Sequence, residues 1–368
     1  MTLRSAAAGA MPGTDLIRSA QLQAAELPAP HLPGLPELPG RGLHSDLLAR
    51  SLAQLSELSA ELTSYGWRLT QRPGADDQRI RGWLRSDVDT LADVRGHRAE
   101  TGADAPDDDG FAPPLVLELM GPISLMAGLA LPSGEKVLTD HGARRDLAAS
   151  LANGAAEHVA HVRRACAPSS LTVIITEPEY SRARRGKIPT VSGYRTIRAL
   201  GRDETRAHIG LMIETLEASG VEEILLDLGG AVEPEHLQDF RAGRSPAVHG
   251  FGVDLTVMEA AGWERTAELV ESGATILASV LTGAETAEAG GAGLPQVSEL
   301  ARRVQRPWHR LGMPLEGLEN FLLVGSADRH RGEPARSQVA SLREPAAMHV
   351  ITRVRDTAEA LREQIRDA

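Results

Sequence analysis

Two carboxylates stand where apolar, strand-like runs end, and both are candidates for acid–base or binding chemistry. Asp227 follows the run Ile224-Leu225-Leu226, and Glu177 lies between Thr176 and Pro178. A charge at the end of an apolar strand must be paired or face a polar cavity, because burying it alone is costly. Glu177 suits a general base or an amine-binding group, and the alternative is a structural carboxylate that caps a helix or forms a salt bridge. We predict Glu177 and Asp227 as the catalytic candidates.

A second set of polar residues follows the other predicted strands, and we predict that it binds substrate. Tyr180 and Arg195 suit a carboxylate, since the guanidinium forms paired hydrogen bonds, although a surface position is the alternative for the arginine. Asp328 and His330 suit an anion site, for which a solvated loop is the alternative. His249 is equally typical of a core histidine. The full set comprises Thr14, Tyr180, Arg195, His249, Asp254, Asp328 and His330.

The single cysteine, Cys166, excludes an intramolecular disulfide and a multi-cysteine metal site. It precedes Ala167-Pro168 at the end of a predicted helix, a position typical of a structural thiol. Asp and His side chains at the strand ends offer oxygen and nitrogen donors, but none shows a ligand spacing such as H-E-x-x-H. We therefore predict no metal site and no resident cofactor.

Alternating strands and helices must position these side chains. Short apolar runs predict strands, and longer periodic segments between them predict helices, which is typical of βαβ units around a parallel sheet. The predicted strands are Leu115–Leu119, Leu171–Thr176, Glu223–Leu228, Val248–Asp254, Ala274–Val280 and Phe321–Gly325. The predicted helices are Ala143–Arg164, Asp203–Ser219, Glu233–Gly243, Trp263–Ser272 and Val297–Leu311.

Two further strands, Ser5–Ala10 and Glu61–Leu69, would complete a (β/α)₈ (TIM) barrel. An open doubly wound sheet is the alternative, but no Gly-rich nucleotide loop follows the first strand, which favours the barrel. We predict one elaborated α/β barrel domain over residues 1–344 and a C-terminal helix over residues 345–368.

Three stretches are predicted to be irregular. They are a proline-rich extended connection at His31–Arg41, a flexible acidic loop at about residues 96–114, and a mobile loop at Gly283–Gly293.

The overall charge restricts the partners. There are 39 Lys and Arg against 50 Asp and Glu, giving a net charge of −11, which disfavours a nucleic-acid binder. No apolar stretch reaches the ~18 residues of a membrane span. The segment Met1–Thr14 is too short and too weakly apolar for a signal peptide. We expect a cytoplasmic protein whose partner is a small molecule.

Several short motifs, in order along residues 8 to 340, resemble the cobalamin-independent methionine synthase family, particularly its short actinobacterial-type members. The opening Gly9-Ala10-Met11-Pro12-Gly13-Thr14-Asp15 is one, and Thr176-Glu177-Pro178 resembles the family's D-E-P. The others are Glu26-Leu27-Pro28, Leu35-Pro36-Glu37-Leu38-Pro39, Met120-Gly121-Pro122-Ile123-Ser124-Leu125, Leu138-Thr139-Asp140, Pro189-Thr190-Val191-Ser192-Gly193-Tyr194 and Gly252-Val253-Asp254-Leu255. The resemblance implies a barrel shared with uroporphyrinogen decarboxylases.

The same resemblance implies methyl transfer from methyltetrahydrofolate to homocysteine, whose thiolate is activated by a zinc ion held by His, Glu and two Cys. The sequence departs from this pattern at the ligands. Asp227-Leu228-Gly229 stands where the family has His-x-Cys, and Ala327 stands where it has its last Cys. The resemblance therefore implies a homocysteine- or folate-like ligand but not zinc–thiolate chemistry.

Three hypotheses for the function stay open at this point. The first is a diverged methionine synthase-like protein with a retained small-molecule pocket. The second is a metal-free enzyme acting on a small carboxylated substrate, in the manner of uroporphyrinogen decarboxylase. The third is a non-catalytic binding or regulatory protein.

Overall fold

A curled parallel sheet surrounded by helices forms the molecule. The computed structural model describes residues 2–7, 9–102, 113–229, 234–241, 243, 245–287, 293–326 and 342–368. Within these ranges, no helix is long and apolar enough to cross a bilayer.

Seven parallel strands make the sheet, in the order β1-β9-β8-β7-β6-β5-β4. They are β1 (Arg4–Ser5), β4 (Leu115–Met120), β5 (Leu171–Thr176), β6 (Glu223–Asp227), β7 (Gly250–Asp254), β8 (Thr275–Leu281) and β9 (Phe321–Ser326). Six of them match predicted strands to within about two residues at each end, and the seventh lies at the start of the predicted Ser5–Ala10. The sequence places most of them well because strands buried on both faces are continuous apolar runs.

The segment from Leu32 to Glu37 lies between the two edge strands of this sheet. Isolated parallel bridges join Leu32 to Ala6 on one side and Gly34 to Val116 on the other. Hydrogen bonds support both, from Ala7 N to Leu32 O at 3.0 Å and from Val116 N to Pro33 O at 3.0 Å. Prolines lack the N–H of a regular ladder, so the segment makes bridges without becoming a strand. The regular strands alone do not close a barrel, and the predicted connection at His31–Arg41 contacts both edges of the sheet.

The concave face of the sheet encloses its own aliphatic cluster, separate from the core beneath the helices. Alternate residues along each strand point to this face. The cluster consists of Ala6, Leu32, Val116, Ile174, Leu225, Leu277, Leu322 and Val324. Since Leu32 contributes with the strands, the proline-rich segment helps to cover this inner core.

Helices pack on the outer face of the sheet, and several neighbours along the ring contact one another. They are α1 (Leu16–Glu26), α2 (Leu47–Gln54), α3 (Ala75–Glu100), α4 (Pro122–Gly128), α5 (His141–Cys166), α6 (Tyr180–Arg184), α7 (Arg202–Ala218), α8 (Pro234–Gln238), α9 (Ala260–Glu271), α10 (Gly283–Ala287), α11 (Val297–Arg310) and α12 (Glu344–Asp367). Aspartates begin three of them: Asp15, Asp46 and Asp140 each accept a hydrogen bond from a first-turn amide of α1, α2 and α5. The C-terminal helix α12 packs against β1, β9 and α1.

The predicted barrel strand Glu61–Leu69 is wrong. This stretch is an antiparallel hairpin of β2 (Ser59–Thr63) and β3 (Gly66–Thr70), outside the large sheet. Gly66 has a φ of +105°, which lets the chain reverse between the two strands. A single long strand cannot contain such a turn.

Three other predictions need adjusting. Residues 96–100 of the predicted acidic loop belong to helix α3, and residues 103–112 lie outside the described part of the chain. The predicted loop after β8 begins with the short helix α10, and residues 288–292 are not described. Within the predicted helix Glu233–Gly243, the structure shows α8 and then turn residues 239–241, and residues 233 and 242 are not described.

Candidate functional site

The carboxyl ends of three neighbouring strands carry polar side chains above the inner aliphatic cluster. Val116, Ile174 and Leu225 belong to that cluster, so the residues two positions further along, Glu118, Thr176 and Asp227, face the same way. Thr176 is directly paired with Asp227 across β5 and β6. Both are about 1% exposed, and Glu118 is half-buried. The mouth of the curled sheet therefore carries two acids and a threonine, and the charge of Glu118 interacts with that of Arg50.

Asp227 lies over the neighbouring strand β7. A Cβ built on Gly252 would come within 2.7 Å of Asp227 Cγ, so only glycine leaves room for this carboxylate. The Oδ1 atom accepts a hydrogen bond from Gly229 N at 3.1 Å. This contact fixes the carboxylate at the strand end, as the sequence predicts for a charge that follows an apolar run.

Glu118 reaches across the mouth. A Cβ built on Gly9 would lie 3.8 Å from the Oε2 atom of Glu118. Gly9 follows β1, whereas Glu118 lies in β4, and the segment from Leu32 to Glu37 runs between these two strands. Glu118 is not among the predicted site residues, although the sequence contains a signal for it. A single acid interrupts the apolar run Leu115–Met120, which is the same argument that identified Asp227.

Glu177 has its carboxylate turned toward the start of helix α4. Oε1 accepts from Ile123 N at 2.9 Å and Oε2 from Ser124 N at 2.7 Å. These first-turn amides have no partner inside α4, so the carboxylate caps this helix. Glu177 lies more than 50 residues away from them in sequence. The geometry matches the structural alternative for Glu177.

Complete burial makes Glu177 an unusual acid. Burial raises the pKa of Glu177 to about 7, against the opposing effect of hydrogen bonds from Ser124 and from the amides of Ile123 and Ser124. Its own backbone N–H donates to Asp227 O at 2.7 Å. Glu177 thus connects the loop after β4 to the end of β6, beside the acidic mouth.

Three predicted substrate-binding residues lie elsewhere. Tyr180 is completely buried, with its ring edge-to-face against His236 at 5.3 Å between centroids, and burial raises the pKa of its hydroxyl. Thr14 and Arg195 are exposed on loops. Their backbone carbonyls accept hydrogen bonds, from Arg41 Nε and from Thr190 N respectively. None of the three side chains joins Asp227.

The remaining predicted residues divide between the two ends of the sheet. Asp254 ends β7 at the mouth, where Oδ1 accepts from Thr256 N at 2.9 Å and from Thr256 Oγ1 at 2.6 Å, so it organises its own turn. His249 precedes β7 and lies at the opposite end of the sheet from Asp227. Asp328 and His330 lie outside the described residues.

A buried acid outside the predicted set supports the rim of the mouth. Glu37 is 3% exposed, and its Oε1 atom accepts from Leu47 N at the start of α2 at 3.1 Å. Nearby, Arg50 donates to Pro36 O at 3.0 Å. The proline-rich context of Glu37 concealed this role, because nothing in it predicts which helix the carboxylate reaches.

The donor set at the mouth does not fit a zinc–thiolate centre. Leu228 and Gly229 have no metal-binding atom in their side chains, so the mouth offers the carboxylate oxygens of Asp227 and Glu118 but no thiolate. Within the described ranges, no three His, Cys, Asp or Glu side chains converge. Cys166 ends α5, and burial raises the pKa of its thiol to about 11, which opposes thiolate formation.

Comparison with known proteins shows the fold class. No family model matches the sequence, and no curated protein matches it either. Among solved structures, the chain is similar to a B12-independent methionine synthase from Shewanella sp. W3-18-1, solved in complex with selenomethionine. The TM-score is 0.54 at 10% identity, over the full length of both chains. At this identity the likeness shows a shared TIM-barrel-like α/β architecture.

Proposed function

We propose that the protein is a diverged methionine synthase-like barrel that binds a small, amine-bearing molecule at the carboxyl ends of its strands. Two inward-facing acids, Glu118 and Asp227, carry the proposal. They lie at the end of the sheet where (β/α)₈ enzymes place their active sites. Carboxylates at such a mouth favour a positively charged group over an anionic one. A homocysteine-like amino acid carries such a group.

The barrel itself is part of this proposal. We infer that the segment from Leu32 to Glu37 acts as the eighth strand, because it bridges β1 on one side and β4 on the other. The inner cluster supports this, since Leu32 completes it between the two edge strands. A closed cylinder would confine a ligand to its open carboxyl end.

Zinc–thiolate methyl transfer is not part of the proposed function. The position corresponding to the family's His-x-Cys is occupied by Asp227, Leu228 and Gly229, and the thiol of Cys166 is buried at the end of α5. Thiolate ligands would be needed to complete that centre. We also infer a cytoplasmic location, in keeping with a lone free thiol.

A ligand screen by thermal shift tests the proposal, because ligands that bind only the native state raise its apparent stability. The panel should contain homocysteine, methionine, folates, tetrapyrroles and divalent metals. We expect stabilisation by an amine-bearing amino acid, reduced in Asp227→Asn and Glu118→Gln. The control is Glu299→Gln, which removes an exposed acid from α11.

Two results would contradict the proposal. Stabilisation by tetrapyrroles, with amino acids inactive, would favour the decarboxylase-like alternative. Stoichiometric zinc with turnover of homocysteine and methyltetrahydrofolate would show that another donor set replaces the missing thiolates.

A further inference from the structure

A cavity lies at the amino ends of the strands, opposite the acidic mouth. Its volume is about 720 Å³, within the ~300–1,000 Å³ typical of small-molecule sites. Residues at the starts of β1, β5, β6 and β8 line it, together with Val248 and His249 just before β7 and the apolar ring of Phe251 within that strand. His249, which the sequence analysis assigned to substrate binding, belongs to this cavity.

The cavity contains a partly buried ion pair with unused donors. Arg4 Nη2 donates to both carboxylate oxygens of Glu223, at 3.1 and 2.9 Å. Thr172 Oγ1 and Thr275 Oγ1 each donate to the same carboxylate at 2.8 Å. Glu223 is thus fully engaged, whereas Nε and Nη1 of Arg4 reach no acceptor among the described residues. Arg4 therefore has N–H groups available to a ligand.

His249 provides a further donor. Its Nδ1 atom accepts a hydrogen bond from Ile224 N at 3.0 Å. The neutral ring must then carry its proton on Nε2. This second nitrogen has no partner in the described part of the chain, and the residue is exposed. The backbone contact fixes the ring while leaving Nε2–H able to donate.

Arg241 supplies positive charge to the wall of the cavity. Its only hydrogen bond among the described residues is to Glu268 O at 3.2 Å, a neutral acceptor. Of the acids nearby, Glu222 already accepts from Leu171 N at 3.0 Å and forms a salt bridge with Arg163. Glu217 is exposed at the rim. Most of the polar groups in the cavity that lack a hydrogen-bond partner among the described residues are therefore N–H donors.

We propose that this cavity binds a small organic anion, a carboxylate or phosphate on an apolar body, through Arg4, Arg241 and His249. Glu223 balances the charge of Arg4, so Arg241 supplies the guanidinium for the anion, while the exposed Glu217 also lines the cavity. The partly exposed Ala247 provides apolar contact for the body of the ligand. The site is separate from the mouth and does not depend on what binds there.

An NMR titration of the full chain tests this proposal. Each probe is added to protein with ¹³C-labelled histidines, and the histidine ring signals are followed. The His249 signal is the one missing from His249→Asn, in which the Asn oxygen replaces the Nδ1 acceptor and the Nε2 donor is lost. The probes are phenyl phosphate, benzoate and inorganic phosphate. We expect a saturable shift of the His249 signal with phenyl phosphate or benzoate. The probe that binds more tightly shows whether the site prefers a phosphate or a carboxylate.

Arg241→Gln should weaken binding about tenfold or more, as expected for a charge-assisted contact. Arg302→Gln is the matched control, because Arg302 is an exposed arginine of α11 bonded to a backbone carbonyl. It should leave the affinity unchanged. Inorganic phosphate binding as tightly as phenyl phosphate would show that the head group alone is recognised.

The proposal is overturned if none of the probes moves the His249 signal at millimolar concentration. It is also overturned if Arg241→Gln and Arg302→Gln weaken binding equally, since the effect would then be one of net charge. A circular dichroism melt of each variant shows whether the fold is retained.

Discussion

The carboxylate of Glu177 fills the space in which a side chain at Gly121 would lie. A Cβ at Gly121 would overlap both Oε1 and Cδ of Glu177. This close approach lets the carboxylate reach the amides of Ile123 and Ser124 at the start of α4. Glu177 can therefore cap α4 only because residue 121 is a glycine.

Gly121→Ala should destabilise the protein by about 1–3 kcal/mol, because the added methyl displaces a fully buried carboxylate. Urea denaturation measures the change. Gly82→Ala is the control, since Gly82 lies within α3 with open space around it and alanine favours the helix by up to ~1 kcal/mol. Equal effects of the two substitutions would contradict the proposed contact.

Glu177 should also make stability depend on pH. Its pKa is raised from 4.5 to about 7 by burial, so between these values the native state holds a proton that the unfolded state has lost. Stability attributable to Glu177 therefore falls as pH rises through this window, by ~3 kcal/mol, and is level above it.

Comparison with Glu177→Gln isolates this effect, because glutamine does not titrate. The free energy of unfolding of the wild type, minus that of the variant, should decrease from pH 4.5 to 7. His31 and His158, whose pKa values are lowered by burial to about 4 and about 3, act with the opposite sign but cancel in this difference. A difference that is constant with pH would show that folding leaves the pKa of Glu177 unchanged.

The strands were predictable from sequence where the signal was local. Ile224-Leu225-Leu226 specifies both a buried strand and the burial of Asp227 that follows it. The helix that Glu177 or Glu37 caps was not predictable, because their partners Ile123 and Leu47 are brought to them by the fold. A carboxylate's sequence neighbours do not show which helix it will cap.

Two stretches near the N-terminus pair in ways that their composition did not predict. Pro33 and Pro36 mark the bridging segment as a connection, although only their own N–H groups are missing and the neighbouring residues still pair. The stretch Glu61–Leu69 has strand-forming composition and does form strands, but Gly66 divides it into a hairpin. Composition predicts extended structure without predicting which strand will pair with it.

Arg4 and Glu223 should stabilise the fold as a pair. Their side chains are 20% and 12% exposed, so each charge depends on the other for its solvation. Arg4→Met should cost about 2–4 kcal/mol, since it leaves Glu223 without its partner. The double variant Arg4→Met, Glu223→Gln should recover part of this loss, and strict additivity of the two single effects would show that the pair is not coupled.

Gly34→Ala should loosen the segment that we infer to be the eighth strand. A Cβ at Gly34 would lie 2.7 Å from Ala7 O and 3.2 Å from Val116 O, on both sides of the segment at once. Neither neighbour is a flexible side chain, so the backbone must separate. We expect a loss of about 1–3 kcal/mol. Amide hydrogen exchange locates the damage, because Leu32 N donates to Ser5 O and Val116 N to Pro33 O across the two seams. Both amides should exchange faster, relative to Ile174 within β5, when conditions favour local opening. If only one of them changes, the segment is attached to a single edge, and the sheet is open rather than closed.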